Sequence, residues 1–353
     1  PIRLANRTSR AFLGMRIDCL QCHDDRLDKV FLGTPDAPRD GQQQDFHRLA
    51  AFFVDTQNSP VGIRDKKQPE GYRYKFLHDE EESKVEPGVP FQDDLAPSDG
   101  RLRRQLAAWV THPENKPFAR ATVNRFWALV CGRPLVEPID EVPLHGPFPP
   151  GLEALADDFI AHRYDVRRLI RVIASTAAFR HDSRAECDIT PEHEKHWAVF
   201  PLTRLRPEQV AGGVIQASSL STIDADAHIV RKLIKFGQTN EFVKRYGDTG
   251  EDEFDDRGGT IPQRLLLMNG EMVTERIGEN IVFNAATRIA ALTQNNERAV
   301  EATYLSVLSR RPTEEELKFF VAKLEAARNR DRREAVEDLW WILINSTEFS
   351  WNH

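Results

Sequence analysis

The helical spacing of apolar residues along residues 101–353 is the feature that most constrains the fold. Leu102, Leu106, Trp109 and Val110 follow one another at intervals that place them on one helix face. The stretch "PFARATVNRFWALVCG" continues this pattern and ends at a glycine, a residue that commonly follows a helix. "EAVEDLWWILINSTEF" shows it again further along the chain. These residues predict a mainly α fold.

Helix boundaries can also be placed from single residues. Asp165 precedes "VRRLIRVIA" and is predicted to cap that helix, while Pro207 suits the first turn of another. Thr313 and Glu316 have the spacing of a capping box and predict a helix start at "EEELKFFVAKLEAA".

The chain changes character twice before residue 101, which predicts three segments. Residues 1–60 predict a helix over about 4–18 and a second over "QQDFHRLAAFFVD", whose apolar residues share one face. These apolar residues are Phe46, Leu49, Ala50 and Phe53. Residues 61–100 are rich in Pro and Gly and predict a linker or irregular insertion, with "YRYKFL" as a strand of a small hairpin. Residues 101–353 are predicted to form an all-α domain.

Composition excludes two classes of function. Lys and Arg are interspersed with acids and the net charge is −7, so the basic stripe of a nucleic-acid-binding protein is missing. No run of 18 apolar residues occurs, so no transmembrane segment is expected. Motifs of serine hydrolases, phosphate-binding loops and zinc proteases are not found, and whether the chain is an enzyme stays open.

The sequence "DCLQCHD" places Cys19, Cys22 and His23 in a CxxCH motif. Two thiols within a helical turn can attach to the two vinyl groups of one haem, and the adjacent imidazole can bind its iron. The motif therefore predicts covalent haem c, with Cys19, Cys22 and His23 as its binding residues and His23 as the proximal iron ligand.

Other chemistries remain open for the same three residues. Zinc would need further ligands, and no second CxxC or HxxxH pair accompanies the motif. A thiol redox pair usually accompanies a βαβ pattern, which is also missing. The alternative function is therefore a haem-free binding or scaffold protein, in which the three residues hold a structural metal or form a disulfide. Cys131 and Cys187 are each predicted to be buried free thiols.

Several blocks of the sequence resemble proteins of planctomycetes and related bacteria. "RTSRAFLGMRIDCLQCHDDRLDKV" and "QQDFHRLAAFF" resemble the latter part of a planctomycete-type cytochrome-c-like domain. "RRQLAAWVTHPENKPFARATVNRFWALVCGRPLVEP", "YDVRRLIRVIASTAAFR" and "YLSVLSRRPTEEEL" resemble its usual partner, a planctomycete-specific helical domain of unknown function. The resemblance covers about residues 1–60 and 101–353.

This resemblance implies a secreted or periplasmic c-type haem protein that acts in electron transfer or as the redox module of a larger oxidoreductase. It also implies a further stretch ahead of residue 1, so the redox partner is a separate protein or the upstream part of the same polypeptide. The family commonly has "CHDHP" where this chain has "CHDDR", so Asp25 replaces a second histidine. That departure argues against a conventional bis-histidine haem.

Three residues are candidates for the distal iron ligand, opposite His23. Met15 precedes the motif, although a methionine at such a position is usually part of the core. His47 lies on the second helix, where a surface position is expected and rotation towards the haem is the alternative. His353 follows an apolar helix and could instead cap it. Five-coordinate iron with an open face is a further alternative.

A polar cluster interrupts the apolar helix of the 101–353 segment. Asn124 and Arg125 fall within "VNRFW", and Arg133 follows in "CGRPL". These three residues could form a subsite for an anion or a sugar. We expect instead an internal tie between elements, with arginine paired to Glu137 or Asp140, because buried arginines are usually paired.

Overall fold

The computed structural model confirms the mainly α fold. It describes residues 1–27, 29–34, 36–37, 39–59, 62–66, 71–219, 223, 226–246, 265, 267–270, 273, 284–327 and 330–352. The chain divides into two compact units, Pro1–Arg180 and His181–His353. Among the described residues, no helix combines the length and the apolar character needed to cross a membrane.

The first unit begins with an α-helix, Ile2–Thr8, which continues as a π-helix over Ser9–Leu13. A separate 3₁₀ turn follows at Asp18–Gln21. The helix Ile2–Thr8 is α1. The further α-helices of this unit are α2 (Gln43–Ala51), α3 (Leu102–Val110), α4 (Lys116–Cys131), α5 (Leu152–Ala161), α6 (Val166–Ala174) and α7 (Ala177–Arg180). Asp165 caps α6 as predicted, since its side chain accepts a hydrogen bond from the Arg168 amide.

The predicted single helix over 4–18 is wrong beyond Leu13. The chain leaves the helix at Gly14, whose φ of +63° lies in the left-handed region. A Cβ at this position would also lie 3.0 Å from the Ala121 Cβ, so α4 packs directly against the glycine. The break turns the chain towards the 3₁₀ turn that carries the two cysteines.

The core of the first unit is shared by segments that the sequence analysis separated. Phe46 and Leu49 on α2 are fully buried, which confirms the predicted apolar face. They belong to the same cluster as Leu20 and as Trp109 of α3. The structure therefore groups the first helices beyond residue 101 with residues 1–60 in one compact unit.

Two pairs of short antiparallel strands occur in and just before the Pro- and Gly-rich segment, and the second pair agrees with the expected small hairpin. Strands β1 (Thr56–Ser59) and β2 (Gly62–Asp65) form one, and β3 (Arg73–Tyr74) and β4 (Ser83–Lys84) form the other. Val89 and Phe91 are buried in the core cluster of the first unit. The segment is therefore a packed part of this unit rather than only a linker.

The second unit is also helical. Its elements are α8 (Pro191–Lys195), α9 (Pro207–Ser218), α10 (Ile229–Tyr246), α11 (Ala285–Leu292), α12 (Asn296–Leu308), α13 (Glu314–Ala326), α14 (Arg330–Ile344), α15 (Thr347–Ser350) and the paired strands β5 (Thr203–Arg204) and β6 (Trp351–Asn352). Pro207 opens α9, as predicted, and the Thr313–Glu316 capping box opens α13. Trp340 and Tyr304 are buried at the centre of the core. The predicted loop over 247–259 lies outside the described residues.

An arginine joins two carboxylates in the second unit. Arg310 donates paired hydrogen bonds to Glu316, at 2.8 and 2.9 Å, and to Glu348 on α15. The hydrogen bonds from Arg310 lower the pKa of Glu316 to about 2, although burial acts in the opposite direction. The network stabilises the start of α13 and links it to α15.

We expect this network to make the second unit sensitive to acid. Because the pKa of Glu316 is lower in the folded chain than its ordinary value of 4.5, its contribution is present above pH 4.5 and is lost as the pH falls towards 2. Glu316→Gln should cost about 1 kcal/mol near neutral pH, since the side chains are about one-third exposed, and should reduce the acid dependence. Urea unfolding at several pH values measures both effects.

Glu315→Gln is the matched control, because Glu315 is exposed on the same helix and makes no ion pair among the described residues. Equal acid dependence of the Glu316 variant and the unmodified chain would contradict the prediction.

Candidate functional site

The CxxCH residues lie on the 3₁₀ turn Asp18–Gln21 and the two positions after it. The Cys22 amide donates to the Cys19 carbonyl at 3.2 Å, and the His23 amide donates to the same carbonyl at 3.4 Å. Cys19 and Cys22 are free and exposed. Both thiols and the imidazole are therefore presented on one turn of the chain, as the motif predicts.

The apolar residues around the cysteines anchor this turn. Ile17 and Leu20 are buried to within 1% of full burial. A Cβ on Gly41 would lie 2.7 Å from a Leu20 methyl carbon, so the Gly41 backbone closes tightly over that side chain. Because Leu20 is fixed inwards, the cysteines on either side of it face outwards.

The His23 ring has one engaged and one available nitrogen. Its Nδ1 lies 2.7 Å from the Asp24 carbonyl oxygen, which fixes Nδ1–H as the donor. Within the part of the chain that the structure describes, its Nε2 makes no hydrogen bond. A carbonyl bond at one nitrogen with the other left free is the usual arrangement of a metal-ligating histidine.

Asp25 shapes the loop after the motif. Its carboxylate accepts hydrogen bonds from the backbone amides of Leu27, Lys29 and Val30 at 3.0, 2.7 and 2.6 Å. Burial alone would raise its pKa, but these amide bonds lower it overall. The Asp25 carboxylate therefore has both oxygens engaged by backbone amides of the loop.

A cleft of about 690 Å³ lies beside the turn, within the size range of small-molecule and cofactor sites. Cys19 and His23 line it, and Met15 and His145 also contribute to its wall. The remaining lining includes the apolar side chains of Ile17, Leu27, Val30, Phe31, Val142 and Leu144. One thiol and the available imidazole thus share a largely apolar cleft.

The electrostatics next to Cys19 favour a neutral sulfur. Burial, followed by the nearby charges of Asp25 and Asp18, raises the pKa of the Cys19 thiol. Reactive or redox-active cysteines usually have lowered pKa values, so this environment does not suit a thiolate. Two polar atoms of the cleft residues, Arg16 Nε and Asp18 Oδ1, are buried without a hydrogen-bond partner.

Comparison with known proteins places the helical part of the chain in a family. A family model described as PSD1, Protein of unknown function (DUF1553), matches residues 102–324. The chain belongs to the PSD1 family. No curated protein and no solved structure matches it. The PSD1 match begins after the CxxCH segment and does not extend to it.

The polar cluster inside the PSD1 match forms internal ties. The Asn124 amide donates to the Val136 carbonyl, and its Oδ1 accepts from the Val136 amide, both at 2.9 Å. Arg133 forms a bidentate ion pair with Glu137, in which Nε and Nη2 donate to the two carboxylate oxygens at 2.8 and 3.2 Å. Neither Asn124, Arg125 nor Arg133 lines the cleft. The expected internal tie is therefore observed for Asn124 and Arg133, and the cleft does not include the proposed subsite.

The three candidate distal ligands differ in their burial and in whether they line the cleft. Met15 is 7% exposed and lines the cleft with His23. His47 was expected at the surface and is instead fully buried, with both ring nitrogens hydrogen-bonded, so it is not free to bind iron. His353 lies outside the described residues.

Sequence reasoning missed His145, more than 100 positions beyond the motif. The Val142 amide donates to the Gly14 carbonyl at 2.8 Å, and this bond brings the 141–145 segment to the cleft. His145 Nε2 lies 2.7 Å from the Gly33 carbonyl oxygen, which leaves Nδ1 without a hydrogen bond. No local pattern around His145 signals this placement.

The other cysteines and acids do not complete a metal site within the described ranges. No group of three or more Cys, His, Asp or Glu side chains there could hold a metal ion. Cys131 is buried and free as predicted, and burial raises its pKa to about 12. Cys187 is also free but is exposed, which corrects the expected buried position.

Proposed function

We propose that this PSD1 chain binds haem c covalently and acts in electron transfer, either alone or as the redox module of a larger oxidoreductase. Cys19 and Cys22 would carry the two thioether bonds and His23 would bind the iron. The observation that carries the proposal is the turn itself, which presents two free thiols beside an imidazole whose Nδ1 is held by the Asp24 carbonyl. Haem c supplies a one-electron iron couple in such a site.

The residues of the cleft fit this group. The apolar wall would exclude water from a bound macrocycle. Met15 and His145 also line the cleft and would be candidates for a further bond to the iron.

The proposed haem attachment takes place outside the cytoplasm, so the protein is proposed to be periplasmic or secreted, in keeping with the resemblance of residues 1–60. The redox partner would be another protein or an upstream part of the same polypeptide. Cys19 and His23 line a cleft that opens at the surface, which suits electron exchange with a partner that docks there.

The test is an absorption spectrum and a pyridine haemochrome assay of the protein, produced in a host with the haem c attachment machinery. We expect one haem per chain that stays with the denatured polypeptide. Low-temperature spectra of the same sample distinguish methionine from histidine as the second axial ligand. A colourless protein with one equivalent of zinc would refute the proposal in favour of a structural metal site. A colourless, metal-free protein would refute it in favour of a disulfide or an unmodified turn.

A further inference from the structure

The carbonyl oxygen of Gln21, between the two cysteines, accepts hydrogen bonds from three side chains. The donors are Gln43 Nε2 at 3.2 Å, His47 Nε2 at 3.0 Å and Tyr74 Oη at 3.2 Å. A carbonyl oxygen has two lone pairs, so three donors saturate it. Gln43 and His47 come from α2 and Tyr74 from β3, so two separate elements hold the same peptide group.

The hydrogen bonds define the tautomer of His47. Nε2 must carry the proton, because a carbonyl oxygen can only accept. Nδ1 therefore accepts a hydrogen bond from the Tyr72 hydroxyl at 2.9 Å. Burial lowers the pKa of His47, with the Gln21 carbonyl opposing in part, so the ring is neutral at physiological pH. Tyr72, His47 and Gln21 thus form a directed chain of hydrogen bonds.

Aromatic packing fixes the plane of the His47 ring. Tyr74 stacks on it with a centroid distance of 3.4 Å, and the Phe46 and Phe76 rings meet it edge-on at 5.4 and 5.6 Å. The side chain has no exposed surface. Rotation of the imidazole would therefore break both hydrogen bonds and the stack at once.

Backbone contacts also hold the residues just after the turn, since Asp24 Oδ1 accepts from the Gln43 amide and the Asp25 amide donates to the Gly41 carbonyl, both at 2.8 Å. The turn's own backbone contributes the bonds from the Cys22 and His23 amides to the Cys19 carbonyl, at 3.2 and 3.4 Å. Cys22, His23 and Asp24 are exposed and cannot anchor the turn by burial. Within the described residues, the three bonds to the Gln21 carbonyl are the side-chain hydrogen bonds made to residues 19–22, and they act together with the buried Leu20.

We infer that His47 is a positioning residue for the CxxCH turn, acting with Tyr74 and Gln43 through the Gln21 carbonyl. The inference rests on the proposed function, because the orientation that it preserves is the one in which both thiols attach to the same haem. His47 does not touch the haem. It helps to fix the peptide between Cys19 and Cys22, so that loss of its Nε2–H loosens the turn, while Gln43 and Tyr74 still bind the Gln21 carbonyl.

The test compares His47→Phe, which keeps a ring and removes both hydrogen bonds, with Tyr74→Phe, which keeps the ring and removes one donor. Tyr72→Phe is the matched control, since it removes a hydroxyl from the same cluster and leaves the bond from His47 to Gln21 intact. Tyr74→Phe also preserves the test if His47→Phe fails to fold.

The first readout uses the haem-free full chain. Peptide-resolved alkylation of Cys19 and Cys22 and hydrogen exchange of the Cys22 amide should accelerate about tenfold in His47→Phe, the effect expected for loss of one buried hydrogen bond. The acceleration should be smaller in Tyr74→Phe and near zero in Tyr72→Phe. Cys187, which is exposed in the same chain, is the internal reference. Unchanged rates in His47→Phe would overturn the inference.

The second readout uses chains produced with the attachment machinery. Intact mass should show a larger fraction of His47→Phe carrying haem through one cysteine only, while the unmodified chain carries it through both. If the unmodified chain carries no haem, the proposed function is wrong, whatever the alkylation rates are. Failure of the positioning role appears as haem in the unmodified chain with identical attachment and identical alkylation in His47→Phe.

Discussion

Replacing both Cys19 and Cys22 by serine is expected to abolish covalent haem. A thioether needs the cysteine sulfur, and a serine hydroxyl cannot replace it. His23 would remain as an axial ligand, but its bond to iron does not survive denaturation. Haem staining after denaturing electrophoresis should therefore be lost, and intact mass should equal that of the bare polypeptide. Each single variant should keep one attachment and a reduced yield.

Cys187→Ser is the matched control, because Cys187 is a free, exposed cysteine outside the motif. It should carry haem as the unmodified chain does. Covalent haem in the double serine variant would contradict the assignment of the thiols, and its loss in Cys187→Ser as well would indicate a general effect on production.

The elements of the fold that could be predicted from the sequence are those set by neighbours along the chain. The buried face of Phe46 and Leu49 follows from helical spacing alone. The Thr313–Glu316 capping box follows from two residues three positions apart. The CxxCH turn is similarly local, since its backbone bonds join residues three and four positions apart. Local patterns therefore predicted both the fold class and the motif's geometry.

The sequence did not predict the contacts that join distant segments. His47 was expected at the surface because its partners, Tyr72 and Tyr74, lie in a segment that looked like a linker. The alternation of Tyr72, Tyr74 and Phe76 was the available signal, because alternate residues of an extended strand face the same side. His145 depends on the bond between Val142 and Gly14, which no periodicity encodes.

The position of Trp109 explains why the domain boundary at residue 101 was also difficult to predict. Its pattern belongs to the helical stretch that follows, yet its side chain is fully buried in the cluster that contains Leu20 and Phe46. Its ring lies 4.9 Å from that of Phe91, between centroids. Helical periodicity shows that one face is apolar, but it does not show which segment covers that face.

Trp109→Ala is therefore expected to destabilise the first unit by about 3–5 kcal/mol, the usual cost of removing a large buried aromatic side chain. Trp109 and Leu20 share a core. In the variant, the CxxCH turn should therefore become exposed together with the unfolding of the helices, and both should occur at a lower urea concentration than in the unmodified chain. Alkylation of Cys19 and Cys22 across a urea series, read together with far-ultraviolet circular dichroism, measures both events.

Phe12→Ala is the control for this experiment, because Phe12 lies in the same unit but is 50% exposed. It should cost about 1 kcal/mol or less. An unchanged urea midpoint for thiol exposure in Trp109→Ala would mean that residues 1–60 contain a core of their own. The boundaries predicted from the sequence would then describe the folding units correctly. A joint shift of both transitions would mean that the thiols depend on a residue from the PSD1 match for their fixed position.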